Sequence, residues 1–123
     1  MPLDPKVPHD EFLAVLDKAE NGPIIDIKEW DNVYIYAKIK ELVEKYELSF
    51  PVAEPGVPAD DDLADRLFAA AIQLCVDAGV YCTDTGRRMI WTEEEIQGVL
   101  DRVPDTLTAG AGEDAFVINK RTP

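Results

Sequence analysis

Apolar residues recur at helical spacing in four stretches of the chain, and glycine, proline or acidic residues punctuate each one. Phe12, Val15, Leu16 and Ala19 fall three and four apart, which predicts a helix over 10–21 that Gly22 and Pro23 end. Asp26 with Glu29 three residues later reads as a capping box for the next helix, over 30–46. Its stripe is Ile35, Ile39, Leu42, Val43 and Tyr46, while the run Val33-Tyr34-Ile35-Tyr36 favours extended backbone, so an irregular start is expected. Prolines and a glycine make 50–58 a connector. Asp60, Asp61 and Asp62 open the third helix, over 60–78, where carboxylates suit the positive end of the helix dipole. Leu63, Leu67, Ala71, Leu74, Cys75 and Ala78 form its stripe, and Gly79 is expected to be a left-handed stop. Thr92, with Glu95 at the reciprocal position, caps a fourth helix over 92–103. Ile96, Val99, Leu100 and Val103 are its apolar face, and Pro104 ends it.

Between these helices the period changes. Val80-Tyr81-Cys82 and Met89-Ile90-Trp91 flank the turn residues Thr83 to Gly86, predicting strands near 80–82 and 88–91. A second pair, 106–109 and 115–118, flanks Gly110-Ala111-Gly112-Glu113-Asp114. The fold class is therefore α+β, mainly helical with short β-hairpins. There is no internal repeat and no low-complexity tract. The organisation expected is a loose, proline-rich leader with a short helix over 1–25, then one helical and hairpin region over 26–123.

Composition narrows the function classes. A length of 123 residues allows one domain or a piece of a larger one. Acids outnumber bases 25 to 12, a formal charge of −13, and such a surface repels nucleic-acid backbones and anionic membranes. It reads as a solvated acidic face, with a dock for a basic partner as the other reading. Cys75 lies on the apolar stripe and Cys82 in a strand, so two buried free thiols in a reducing compartment are expected rather than a disulfide or zinc framework. Three prolines and several charges break up the first ten residues, which excludes a signal-peptide reading, and no apolar run is long enough to span a bilayer. The compartment expected is the cytoplasm.

Candidate chemistry is sparse. The glycines of Ala109-Gly110-Ala111-Gly112 lack a P-loop lysine, and Glu113 and Asp114 would repel phosphate, so a hairpin turn is the better account. His9 is the only histidine and has no nearby Ser or Cys partner, which leaves it as an exposed leader residue. The adjacent acids Asp60, Asp61 and Asp62 diverge around a helix instead of converging on one ion. Arg87 and Arg88, beside Trp91, read as a surface turn pairing with nearby acids. Trp30, Trp91, Tyr34, Tyr36 and Tyr81 fit a core or an inter-domain contact better than a cofactor slot. No catalytic, cofactor-binding or metal-ligating residue is assigned.

A string of short motifs then stands in order: Trp30-Asp31, Lys45-Tyr46-Glu47-Leu48, Leu67-Phe68, Gly79-Val80-Tyr81-Cys82-Thr83-Asp84-Thr85, Arg87, Thr92-Glu93-Glu94-Glu95-Ile96, and Gly110 to Ala115. Together they resemble the N-terminal region of monomethylamine methyltransferases, from about Trp30 to Arg121. The resemblance implies a cap segment of a TIM-type α/β barrel enzyme whose barrel is absent here, an enzyme that moves a methyl group from monomethylamine to corrinoid cobalt. It implies a corrinoid carried by a separate partner protein, pyrrolysine within the barrel, and a homo-oligomer at full length. None of the quoted residues matches a catalytic position of that family. The ending Asn119-Lys120-Arg121-Thr122-Pro123 reads as an interruption, so this chain alone is expected to be inactive. The competing reading is a free-standing acidic interaction module without catalysis.

Overall fold

In the computed structural model, which describes residues 9–50, 56 and 59–121, the three acids at 60–62 divide their work at one helix start. Asp60 is the N-cap, its carboxylate accepting from the Leu63 amide at 3.0 Å, and α4 (Asp61–Ala78) begins on the next residue. Asp62 instead pairs with Arg66 one turn on, at 2.9 Å. The 1–8 leader and most of the 50–58 connector lie outside the described residues, as does the side chain of His9.

The chain divides between Glu93 and Glu94 into two compact units. In the first, α1 (His9–Asn21) is followed by α2 (Ile27–Glu29), a π-helical segment (Trp30–Ala37) and α3 (Lys38–Lys45). Asp26 caps α2, accepting from the amides of Lys28 and Glu29. The expected irregularity is thus a wider helical turn, carrying the Val33-Tyr34-Ile35-Tyr36 run without breaking the helical path. At the end of α3 the Glu47 amide bonds Glu44 O and the Leu48 amide bonds Val43 O, while Glu47 sits at φ 51°. This is a Schellman stop with a glutamate where glycine is usual.

α3 packs on α4, and the buried apolar positions are Leu42, Ala70 and Ala78. The face of α4 that is covered overlaps the expected stripe only in part. Of that stripe Leu63, Leu74 and Ala78 are covered or partly covered, as are Arg66, Ala70, Ile72, Gln73, Val76 and Asp77, whereas Leu67, Ala71 and Cys75 are exposed, along with Phe68. Three polar residues share the packed face because each has a hydrogen-bonding partner there, and a count of apolar residues alone misses such a face. Similarly Ile39 and Val43 of α3, and Phe12, Val15 and Leu16 of α1, are exposed.

Strands β1 (Val80–Cys82) and β2 (Arg87–Met89) pair antiparallel, with Tyr81 opposite Arg88. The second strand stops at Met89 instead of reaching Trp91, and the Ile90 carbonyl accepts from the Lys18 ammonium at 2.7 Å. The segment after α1 lies along β2 through Arg88 N to Pro23 O (2.9 Å) and Ile25 N to Gly86 O (3.1 Å). Gly79 has φ 70° and ψ −154°, a glycine-only conformation and not the left-handed helical stop expected. A Cβ there would collide with the Met89 carbonyl oxygen.

All but the first residue of α5 (Glu93–Leu100) belongs to the second unit; the helix starts just after Thr92 but ends three residues short of 103. Its bonds tighten from Asp101 N–Gln97 O to Arg102 N–Val99 O and Val103 N–Leu100 O, as Pro104 bars its predecessor from the helical region. Of its expected face, Ile96 is partly covered while Val99, Leu100 and Val103 are exposed. β3 (Thr106–Ala109) and β4 (Phe116–Asn119) form an antiparallel hairpin around a 3₁₀ turn (Gly112–Asp114), one residue later on the return strand than expected. Lys120 closes its open end, with its amide on Asp105 O at 2.7 Å and its ammonium 3.2 Å from the Asp105 carboxylate. Among the described residues, no helix is long and apolar enough to cross a membrane.

Candidate functional site

The last carbonyls of a helix have no partners within it, and here three arginines from other elements supply them. Arg66 of α4 donates to Tyr46 O and Glu47 O, both at 2.7 Å, closing α3. Arg87 donates to Gly22 O at 2.6 Å, just past α1. Arg88 donates through Nε to Ala78 O and through Nη2 to Asp77 O, each at 2.7 Å, closing α4. Successive strand residues point to opposite faces, so Arg87 and Arg88 reach different helices from one short strand. Their partners are backbone carbonyls, not the carboxylates expected for a surface turn.

Around Arg88 the aromatic residues assemble. Its guanidinium lies 4.0 Å from the Tyr34 ring centre, and Trp30 meets Tyr81 at 5.6 Å while its indole N–H reaches Ala78 O at 3.5 Å. Trp91 stands apart beneath Lys18, 5.6 Å from the ammonium, and Tyr36 is exposed. Three of the five aromatics thus line the end of α4 as a packing cluster.

Beside it an open groove of about 480 Å³ is lined by Val33, Tyr34, Ala37, Lys38, Glu41 and Asp77. The Lys38 ammonium lies 2.8 Å from Glu41 and 3.5 Å from Asp77. The hydrogen bond from Lys38 to Glu41, with the charges of Glu41 and Asp77, raises its pKa above the ordinary lysine value and so favours the protonated ammonium. A smaller recess of about 170 Å³ lies between Asp17, Lys18, Asn21, Gly22, Pro23, Arg88 and Ile90. Cys75 is exposed and Cys82 half-buried; both are free thiols, but neither is buried as expected, since Cys75 lies on the uncovered side of α4. Hydrogen bonds from the Thr85 side chain and backbone hold the Cys82 thiol below its usual pKa. No cluster of His, Cys, Asp and Glu among the described residues is placed to hold a metal ion. Sequence reasoning missed Lys38 with Asp77, a contact between elements far apart in the chain. The Lys38–Glu41 spacing was the only local signal for it.

The family model for monomethylamine methyltransferase MtmB matches residues 11–123. The match begins well ahead of Trp30, where the motif resemblance was first read. The chain is 37% identical over 106 residues to monomethylamine methyltransferase MtmB of Methanosarcina mazei and to MtmB1 of Methanosarcina acetivorans. Each alignment covers 86% of this chain and 23% of the relative. The crystal structure of the Methanosarcina barkeri monomethylamine methyltransferase (MtmB) superimposes with a TM-score of 0.80 at 34% identity, covering 89% of this chain and 24% of that one. The chain therefore spans about a quarter of the length of the relatives it matches.

Proposed function

Because the chain belongs to the monomethylamine methyltransferase MtmB family, we propose that it acts as the N-terminal region of an enzyme transferring a methyl group from monomethylamine to corrinoid cobalt. The observation that carries this reading is the match over residues 11–123, at 34% identity to a structure of the same local fold. In this reading the chain is framework. A TIM-type barrel supplied by the rest of the polypeptide encloses the amine, and a separate corrinoid protein brings the cobalt. Methyl transfer requires amine, anchor and cobalt in one enclosed cavity, since proximity supplies much of the rate. The residues described here offer an open groove whose lysine is held protonated by its carboxylate partners. No step of the transfer is assigned to these side chains.

The test joins this chain to the part of the Methanosarcina barkeri enzyme outside the match and follows the cobalt spectrum of a reduced corrinoid protein. The chimera should methylate cobalt from monomethylamine, and the 123-residue chain alone should match the control without enzyme. Transfer by the chain alone, or a folded chimera without transfer, would overturn the reading. An independent acidic module would instead melt as a cooperative unit and gain nothing on joining.

A further inference from the structure

Between Trp30 and Tyr46 every fourth residue is covered or partly covered: Trp30, Tyr34, Lys38, Leu42 and Tyr46. Ile35 is the only other. All five meet elements of the first unit itself. The Trp30 indole faces Ala78 O and Tyr81, Tyr34 lies under Arg88, and Lys38 pairs with Asp77. Leu42 is the buried residue of α3, which packs on α4, and the Tyr46 hydroxyl donates to Gln73 at 3.0 Å. A regular α-helix cannot hold such a repeat on one side. Four of its residues overshoot a turn by about 40°, so Tyr46 would stand about 160° round from Trp30. A π-helical residue turns by roughly 80–85°, so four of them fall short of a turn by about 30°. The drift over Trp30–Ala37 therefore cancels most of the opposite drift over α3. Ile39 and Val43, which regular helical spacing would bury, are left exposed for the same reason.

We propose that Trp30–Ala37 is a two-state segment, π-helical while anchors at both ends hold it and α-helical once the hairpin end is released. One end is held by Trp30 and Tyr34 against the close of α4 and the β1–β2 hairpin, the other by Lys38, Leu42 and Tyr46 on α4. With α3 still docked, release turns Trp30 by about 140° away from Ala78 and Tyr81. The groove of about 480 Å³ depends on the same state. Val33, Tyr34 and Ala37 of the wide turn form one wall, while Lys38, Glu41 and Asp77 form the other. Regular helix would rotate the first wall and leave the second in place. Loosening the grip of the hairpin on Trp30 therefore reshapes the groove, through one bistable element that both ends bias.

Nuclear magnetic resonance couplings across backbone hydrogen bonds show which carbonyl each amide of this stretch uses, and they are read in the 123-residue chain. Wild type should show i→i+5 pairing over Trp30–Ala37 and i→i+4 pairing in α3. The double variant Trp30→Ala with Tyr34→Ala should shift the first stretch to i→i+4 pairing and leave α3 unchanged. The control Val33→Ala with Tyr36→Ala introduces as many alanines at exposed positions of the same segment and should keep the i→i+5 pairing. Pairing of the i→i+5 kind that survives loss of Trp30 and Tyr34, or that both double variants lose alike, overturns the proposal. Removal of Asn32, an exposed residue of the segment, decides the matter if the first variant does not fold. A spacing of three between Trp30 and Tyr34 brings all five anchors within about 120° on a regular α-helix. The shortened chain should therefore pair i→i+4 throughout and melt within a few degrees of wild type. A shortened chain that unfolds, or that keeps i→i+5 pairing, overturns the proposal.

Discussion

Replacing Arg88 by alanine removes the group that ends α4. Two hydrogen bonds of 2.7 Å to Asp77 O and Ala78 O are lost, together with the contact to the Tyr34 ring. A hydrogen bond to a charged group contributes about 1.5–3 kcal/mol, stacking on an aromatic about 0.5–2, and a cation at a helix C-terminus about 0.3–1. These overlap, and Arg88 is only half-buried, so water recovers part of the loss. Ala78, however, is 1% exposed, and its carbonyl has only the long contact from Trp30 to fall back on. The net cost expected for Arg88→Ala is about 2–4 kcal/mol. Arg88→Lys keeps the charge but not the two-pronged fork, so it should recover less than half. Urea unfolding read by tryptophan fluorescence measures this, because Trp30 and Trp91 both lie in the first unit. A loss below about 1 kcal/mol, or a lysine variant equal to wild type, would show that α4 ends without help from β2.

Gly79→Ala should cost at least about 2 kcal/mol, since φ is positive and the added Cβ strikes the Met89 carbonyl; a neutral result in the same melts would refute the close approach. Glu47→Gly should stabilise by about 1 kcal/mol by relieving a side chain at φ 51°, with Arg66 still bonding the backbone carbonyl. Leu42→Ala should cost about 2–4 kcal/mol, whereas Leu67→Ala, 55% exposed, should cost less than about 1; the reverse order would mean α4 packs through its other face. In a Cys75→Ser background, alkylation of Cys82 should persist to lower pH than for an ordinary thiol, because Thr85 stabilises the thiolate. Thr85→Ala should move the profile upward, and an unmoved profile would exclude that hydrogen bond as the cause.

Local chemistry was legible where it is decided locally. Asp26 caps a helix start as expected, the acids at 60–62 open α4, the turn at Thr83 to Gly86 and the loop at Gly110 to Asp114 make hairpins, and the ordered motifs pointed to the right family. What escaped is set by partners distant in sequence. Arg66, Arg87 and Arg88 look like surface charge until the helix ends they serve are placed beside them. The covered face of α4 carries Arg66, Gln73 and Asp77, which bond Tyr46, Lys45 and Lys38, so reading apolar residues as the buried set misplaces Leu67 and Cys75. No catalytic residue was expected from the pattern. Lys38, with its carboxylate partners, became visible only through the crossing of α3 and α4.

The wide turn at Trp30–Ala37 also bears on how sequences of this family should be aligned. A π-helical stretch holds more residues per turn than the flanking helix, so it works as a local surplus in the count. Each residue of an ordinary α-helix advances the direction of the side chain by about 100°. Deleting one residue without absorbing the surplus would swing Leu42 off α4, whereas converting the wide turn to regular helix would leave Leu42 and Tyr46 facing as they do. Within the helical stretch from 27 to 45, a one-residue deletion is therefore best absorbed within 30–37, where the backbone has somewhere to lose it.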